Sequence, residues 1–312
     1  MNSDSGRPAL REGEVYPGPD GVRRLLAEQF PRWAGLAIRP VAASGLDNAT
    51  YRLGADMSVR LPRLPRWVGQ VAREQRWLPV LAPQLPLAVP VPLAQGAPGT
   101  DFPFPWSVNR WLDGQTADPD SFADPAAAAR QLAGFLTALQ GIDATGGPPP
   151  EWSNGFRGVP VADERDSAVV AGRVHARIDA LSGLLDTAAL TAIYDSALAA
   201  PVWDRPPVWV HGDPAPTNLL TRDGRLTAVI DFGTLAVGDP ACDLIAAWTL
   251  FDATSRDVFR TALDVDDATW ARGRAWGLTA VLPSPAELGD PVSAARHRRR
   301  IAELIADHGR DS

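Results

Sequence analysis

The sequence predicts an α+β fold in two lobes. A small N-terminal lobe, residues 1–112 with a loose leader over 1–20, carries an antiparallel sheet; a larger, mainly helical C-terminal lobe spans 113–312. Three observations carry this expectation. Short strand-like runs crowd the stretch from Leu36 to Leu112, the pattern breaks at Asp113-Gly114, and beyond it apolar residues recur mostly at helical spacing. With 312 residues and 45% apolar side chains, the chain has ample material for a buried core.

In the N-terminal part, Gly21 to Trp33 has helical periodicity, with Val22, Leu25, Leu26 and Phe30 on one face. Three strand-like runs follow: Leu36 to Val41, Ala49 to Leu53 after a turn at Ser44-Gly45-Leu46-Asp47-Asn48, and Met57 to Leu61 after a Gly54-Ala55-Asp56 turn. Arg66 to Leu81 reads as a helix ending before Pro83, on which Val71, Glu74 and Leu78 share a face. A carboxylate on an apolar helical face requires a partner, and Arg60 on the preceding strand is the natural candidate. The alternative is a surface ion pair without a ligand. Strand-like Leu87 to Ala94 and Phe104 to Leu112 complete the lobe.

In the C-terminal part, an alanine- and leucine-rich helix over Asp124 to Gln140 is capped by Asp124, with Pro125 at its first position. Gly146 to Pro160 is the most loop-like stretch and should lie over this lobe. Helical patterns cover Asp163 to Leu185 and Thr187 to Ala199. Val208-Trp209-Val210 reads as a buried strand, and a helix opening at Asp239 runs to about Phe251. Further helices fill Ser255 to Leu282 and Pro291 to Asp307.

The chemistry concentrates between these last elements. His211-Gly212-Asp213 is followed by Asn218 and then by Ile230-Asp231-Phe232-Gly233. Between Leu219 and Ile230, an Asp223-Gly224 turn separates two apolar runs, a strong hairpin signal. A hairpin brings its ends together, so Asn218 and Asp231 should arrive side by side near Asp213. Two carboxylates and an amide so arranged are the set that phosphoryl transfer from a nucleotide needs. Asp213 is the candidate for accepting or orienting the attacking hydroxyl; the bland alternative is a loop-capping aspartate.

The run from Trp209 to Trp248, WVHGDPAPTNLLTRDGRLTAVIDFGTLAVGDPACDLIAAW, resembles the catalytic core of the aminoglycoside phosphotransferase family. The dense match covers roughly 40 residues, with three motif elements in order across the expected hairpin. The resemblance implies a protein-kinase-like fold and transfer of the γ-phosphoryl group of ATP or GTP to a hydroxyl of a small molecule. An aminoglycoside-type antibiotic is the first such acceptor; a macrolide or a choline- or homoserine-like metabolite is the alternative. It further implies Asn218 and Asp231 as Mg²⁺ ligands and Arg60, paired with Glu74, at the nucleotide's phosphates. Backbone groups of Arg110 and Leu112 would stand at the purine base. Arginine at position 60, where the family commonly has lysine, keeps the charge on a bulkier fork. A first turn with Gly45 as its one glycine is read equally as a phosphate-facing turn or a plain hairpin. Those two departures keep open a non-catalytic nucleotide-binding pseudokinase. His211 and the pair Asp239 and Asp243 are expected to brace the catalytic loop. Asp163, Glu164 and Asp166 could meet a cationic sugar or simply be solvated.

Composition narrows the alternatives. A formal net charge of −7 and a pI near 5.1 argue against a nucleic-acid partner. Lysine is absent and all 30 basic residues are arginine. One cysteine, Cys242, excludes an internal disulfide or a cysteine-based metal site and is expected to pack as a small buried residue. The polar N-terminus has no apolar signal core and no run of 18 apolar residues occurs, so a cytoplasmic protein without a membrane partner is expected. A metal-dependent hydrolase built on His211 and Asp213 would need further histidine ligands, and His175, His297 and His308 have no ligand-like spacing.

Overall fold

A computed structural model describes residues 13–41, 47–161 and 167–311. The expected turn at Ser44 to Leu46, with Gly45, and the acidic residues Asp163, Glu164 and Asp166 lie outside the described residues. The chain divides into two compact units, one of residues 1–83 and 90–112 and the other of residues 84–89 and 113–312.

The first unit opens with helix α1 (Gly18–Gln29), whose buried Val22, Leu25 and Leu26 recur at helical spacing. Pro31 follows at once and starts a 3₁₀ turn through Trp33, so the helix closes earlier than the periodicity suggested. Strands β1 (Ile38–Pro40), β2 (Asn48–Leu53), β3 (Met57–Pro62), β4 (Pro92–Gly96) and β5 (Trp106–Arg110) form one antiparallel sheet in the order β1-β2-β3-β5-β4. Alternation sends Ala49, Tyr51 and Leu53 of β2 and Val59 and Leu61 of β3 into one core with Trp106, Val108, Leu25 and Leu26. Helix α2 (Val68–Leu81) buries Val71, Glu74, Leu78 and Leu81 and continues through Pro79.

The run Leu87 to Ala94 does not form one strand. Pro86, Pro90 and Pro92 cannot donate to a ladder, and the stretch splits between the two units. Ala88 makes an isolated bridge to Ala228, and β4 begins only at Pro92.

In the second unit, helix α3 (Pro125–Gln140) starts as expected: Asp124 accepts the amide of Ala127 at 2.9 Å, with Pro125 at the first position. Strand β6 (Gln115–Thr116) pairs with β8 (Leu219–Arg222), which turns at Asp223-Gly224 into β9 (Arg225–Val229). Strand β7 (Val208–Val210) pairs antiparallel with β10 (Ala236–Gly238). Helices α4 (Ser167–Asp179), α5 (Thr187–Ala199), α6 (Ala246–Thr249), α7 (Ala253–Leu263), α8 (Asp267–Val281) and α9 (Pro291–Asp311) make up the rest. The segment expected to be helical from Asp239 to Phe251 winds as 3₁₀ over Pro240–Ile245 before α6. It is buried throughout, and the side chain of Leu244 lies directly over Gly273 of α8, so packing overrides the regular helix. No described helix is long and apolar enough to cross a membrane.

Candidate active site

Strand β7 delivers the loop that carries Asp213. Trp209 and Val210 are buried, and the chain leaves the strand at His211 and turns through Gly212, whose φ is +88°. A Cβ on Gly212 would stand 2.8 Å from Cβ and Cγ of Arg157 and from the carbonyl oxygen of Thr234. Only glycine tolerates both that backbone and that proximity. The amides of His211 and Gly212 donate to the two oxygens of the fully buried Asp243, at 3.0 and 2.6 Å. Burial pushes the Asp243 carboxyl up to about 7, against the two amide bonds and the charge of Arg157, which favour ionisation.

His211 is fully buried and braces the loop, as expected. Its Nε2 lies 3.0 Å from the carbonyl of Ile230, and its Nδ1 accepts the amide of Asp213 at 3.2 Å. That pairing fixes a neutral imidazole protonated on Nε2, and burial lowers its pKa accordingly. The ring of Phe232 packs edge-on against it at 4.7 Å, and Thr234 Oγ1 donates to its carbonyl at 2.8 Å.

The hairpin brings the next two candidates together. Asn218 Nδ2 donates to the carbonyl of Asp213 at 2.8 Å and to its Oδ2 at 3.1 Å. At the hairpin base the amide of Ile230 donates to the carbonyl of Asn218 at 2.8 Å, so Asp231 follows immediately beside it. Asp231 itself is left-handed, at φ 65° and ψ 68°, a conformation that costs a non-glycine residue about 1–3 kcal/mol and is held here by the buried Phe232-Gly233 turn.

In the first unit, Arg60 on β3 and Glu74 on α2 form the expected pair, with Arg60 Nη1 at 2.8 and 3.0 Å from the two carboxylate oxygens. The Glu74 side chain is 5% exposed and that of Arg60 15%, so this is not a surface ion pair. Arg110 ends β5, and its amide already donates to Val91 at 2.8 Å. The amide of Trp111 donates to Asp56 at 2.8 Å, and Leu112 follows as the last residue of the unit.

Asp239 caps the 3₁₀ segment through the amide of Ala241 and pairs with buried Arg272, whose Nε lies 2.8 Å away. Cys242 is buried beside it, and burial raises its thiol well above the ordinary value. Among the described residues, no three His, Cys, Asp or Glu side chains cluster closely enough to hold a metal ion. One residue of the site escaped sequence reading: Arg157, whose Nη2 lies 3.9 Å from Asp213 Oδ1. An arginine set between Gly155 and Gly158 in an otherwise nearly uncharged loop was the available signal.

Comparison with known proteins follows the same lines. The model of the phosphotransferase enzyme family matches residues 38–276. The GDP complex of wild-type aminoglycoside 2′-phosphotransferase-IIIa is similar at 20% identity and a TM-score of 0.65, over 93% of this chain and 99% of that one. Macrolide 2′-phosphotransferase MphH from Brachybacterium faecium is 25% identical, with a TM-score of 0.55 over 91% of this chain and 98% of that one. The ternary complex of streptomycin and ATP with APH(2″)-IIa is 19% identical, with a TM-score of 0.56 over 91% and 95%. Compared with curated proteins by sequence, the chain finds no match. The protein-kinase-like α+β fold in two lobes is thus the fold of these enzymes. Because the family model spans the sheet, the hairpin and every residue described above from Arg60 to Asp243, the chain belongs to the phosphotransferase enzyme family and is a small-molecule kinase.

Proposed function

We propose that this enzyme moves the γ-phosphoryl group of ATP or GTP to a hydroxyl of a small molecule, with an aminoglycoside-type antibiotic as the leading acceptor. The observation that carries the reading is the 3.1 Å bond from Asn218 Nδ2 to Asp213 Oδ2, made at the hairpin base where Asp231 also stands. A base, an amide and a second carboxylate belong to that one hairpin and the loop beside it. The names of the similar structures, which include GDP, ATP and streptomycin complexes, support the two substrate classes.

Asp213 accepts the proton of the attacking hydroxyl, or orients it; a loose transition state asks more for position than for base strength. With its Nδ2 turned to Asp213, Asn218 presents Oδ1, and Asp231 adds a carboxylate. Both are hard oxygen donors that fit Mg²⁺, which typically takes one or two protein side chains together with substrate phosphates. When bound, that ion would supply charge neutralisation at the phosphates. Arg60, fixed by Glu74, would bring its positive charge to the phosphates. At the end of β5 the amide of Arg110 is engaged by the carbonyl of Val91, so recognition of a purine would run through the Arg110 carbonyl and the backbone of Leu112.

A second acceptor class, macrolides, is favoured by the 25% identity to a macrolide 2′-phosphotransferase. Phosphate transfer from ATP and from GTP, followed across a panel of aminoglycosides, macrolides and amino alcohols, tests the proposal. Acceptor-dependent turnover is expected, and Asp213→Ala should lower kcat by roughly 10²–10⁴. Near-parent turnover in that variant would refute the role of Asp213. Nucleotide binding with no transfer to any acceptor would instead favour the pseudokinase.

A further inference from the structure

We infer that Arg157 is a positioning residue for Asp213, holding the carboxylate by one oxygen while Asn218 holds it by the other. This rests on the reading of Asp213 as the group that receives the acceptor's hydroxyl. Asn218 Nδ2 donates to Oδ2 at 3.1 Å, and Arg157 Nη2 lies 3.9 Å from Oδ1. The second distance is too long for a hydrogen bond but within the range of an ion pair. Oδ1 therefore keeps its lone pairs open to an incoming hydroxyl while the carboxylate is prevented from swinging away.

The loop that carries Arg157 is built to place it. Gly155, Phe156 and Gly158 all have positive φ, at 65°, 55° and 85°. Phenylalanine in that region is strained unless its surroundings hold it. They do: the Phe156 amide donates to Glu151 at 2.9 Å, and the carbonyl of Gly158 accepts the amide of Asp239 at 2.7 Å. Fully buried Asn154 staples the loop through Pro149 and Glu151, at 3.0 and 2.8 Å. Gly238 lies against the Gly158 backbone with no room for a side chain. The Arg157 stem fills the space left by Gly212, and its guanidinium stacks over Trp276 at 4.8 Å. A merely solvated arginine has no need of these constraints. The same charge also favours the ionised form of Asp243 beneath the loop.

Arg157→Met retains a stem that can lie on Trp276 and removes the charge; Arg157→Lys restores charge without the fork. In the full-length enzyme, misplacement of Asp213 should lower kcat of Arg157→Met at least about tenfold, with nucleotide KM within about twofold of parent and the melting temperature retained. Arg157→Lys, and millimolar guanidinium added to Arg157→Met, should each restore part of the rate. A kcat for Arg157→Met within about twofold of parent overturns the inference, as does a loss that neither lysine nor guanidinium repairs. Asp213→Ala run alongside separates the two readings. If it turns over like parent, the site assignment fails and this inference with it. If it is crippled while Arg157→Met is not, only the role of Arg157 falls. A crystal structure of Arg157→Met, or of Arg157→Gln should the first not fold, needs no known acceptor. The Asp213 carboxylate is expected in more than one rotamer, and a single unchanged rotamer overturns the proposal.

Discussion

The fully buried carboxyl of Asp243 holds the backbone amides of both His211 and Gly212, one on each oxygen. Asn at this position would offer one acceptor where two amides need one each, leaving a buried N–H unpaired at a cost of about 1–3 kcal/mol. Asp243→Asn should therefore lower both the melting temperature and kcat.

The same residue sets a pH dependence with a definite sign. Its carboxyl rises from 3.8 to about 7 on folding, so between those values the folded state holds a proton that the unfolded state has lost. The contribution of Asp243 is full below pH 3.8 and declines as pH rises through about 7. The stability gap between parent and Asp243→Asn should shrink from pH 5 to pH 7 and then level off. Thermal melts of both proteins across that range check it; a gap that widens with pH would mean that Asp243 is buried ionised.

Gly212 is the second fixed point of the loop. Alanine there meets a left-handed backbone worth about 1–3 kcal/mol and three contacts at 2.8 Å, one of them the Thr234 carbonyl, which cannot rotate aside. Gly212→Ala should lose at least that much stability and shift Asp213, read as a fall in kcat larger than the rise in either KM.

How much of this was legible in the sequence follows from the range of the forces involved. The hairpin of β8 and β9 was legible because its turn is written locally: Asp223 and Gly224 take φ of 51° and 70°, the left-handed pair that such a dipeptide adopts. The cap of α3 by Asp124, the buried face of α1 and the Arg60–Glu74 pair were legible from periodicity. What failed depended on prolines inside one expected strand and elsewhere on distant packing. Leu87 to Ala94 looks like a strand, yet its residues divide between two units because prolines interrupt the ladder. The 3₁₀ winding after Asp239 answers to α8, 30 or so residues on. Arg157 reaches the site only because a loop with no periodicity of its own is tied to β10, a relation that no local pattern encodes.

For the nucleotide side, Arg60 and Glu74 should behave as one unit. Removing either partner leaves a largely buried charge, at a cost of about 3–5 kcal/mol, whereas removing both costs less than the sum. Arg60→Met should also raise nucleotide KM, while Glu74→Gln raises it less by loosening the arginine. A double-mutant cycle on melting temperature and KM measures this; additive effects would show that the two side chains act independently.

Chelation of divalent ions should abolish transfer, with Mg²⁺ restoring it. Asp231→Asn and Asn218→Ala should each raise the Mg²⁺ concentration for half-maximal activity, since each removes one hard oxygen donor. Asn218→Ala also frees Asp213, so its kcat at saturating Mg²⁺ should stay low where that of Asp231→Asn partly recovers. Equal Mg²⁺ requirements in parent and both variants would remove these residues from the metal site.

On α9, Asp307 gathers four donors. Its Oδ2 accepts the indole N–H groups of Trp248 and Trp270 at 3.2 and 3.1 Å and Nε of Arg274 at 3.0 Å, while Oδ1 accepts from Arg310 at 2.8 Å. Burial works against the charge, but the bond from Arg310 and the charges of Arg274 and Arg256 outweigh it and hold the carboxyl below its usual value. A carboxylate with a lowered folded pKa stabilises above the unfolded value of 3.8 and loses that contribution as pH falls through the folded one. Asp307→Asn removes the carboxylate that buried Arg274 and Arg256 face, although Arg256 keeps Glu303, and should cost up to about 3–5 kcal/mol at neutral pH. Denaturant melts at pH 7 and near pH 3 measure it: the penalty should diminish at the acid end, where parent Asp307 is itself becoming neutral. Because α8 carries both Arg272, the partner of Asp239, and Trp276, the rest for Arg157, a loosened α9 should also lower kcat before the protein unfolds.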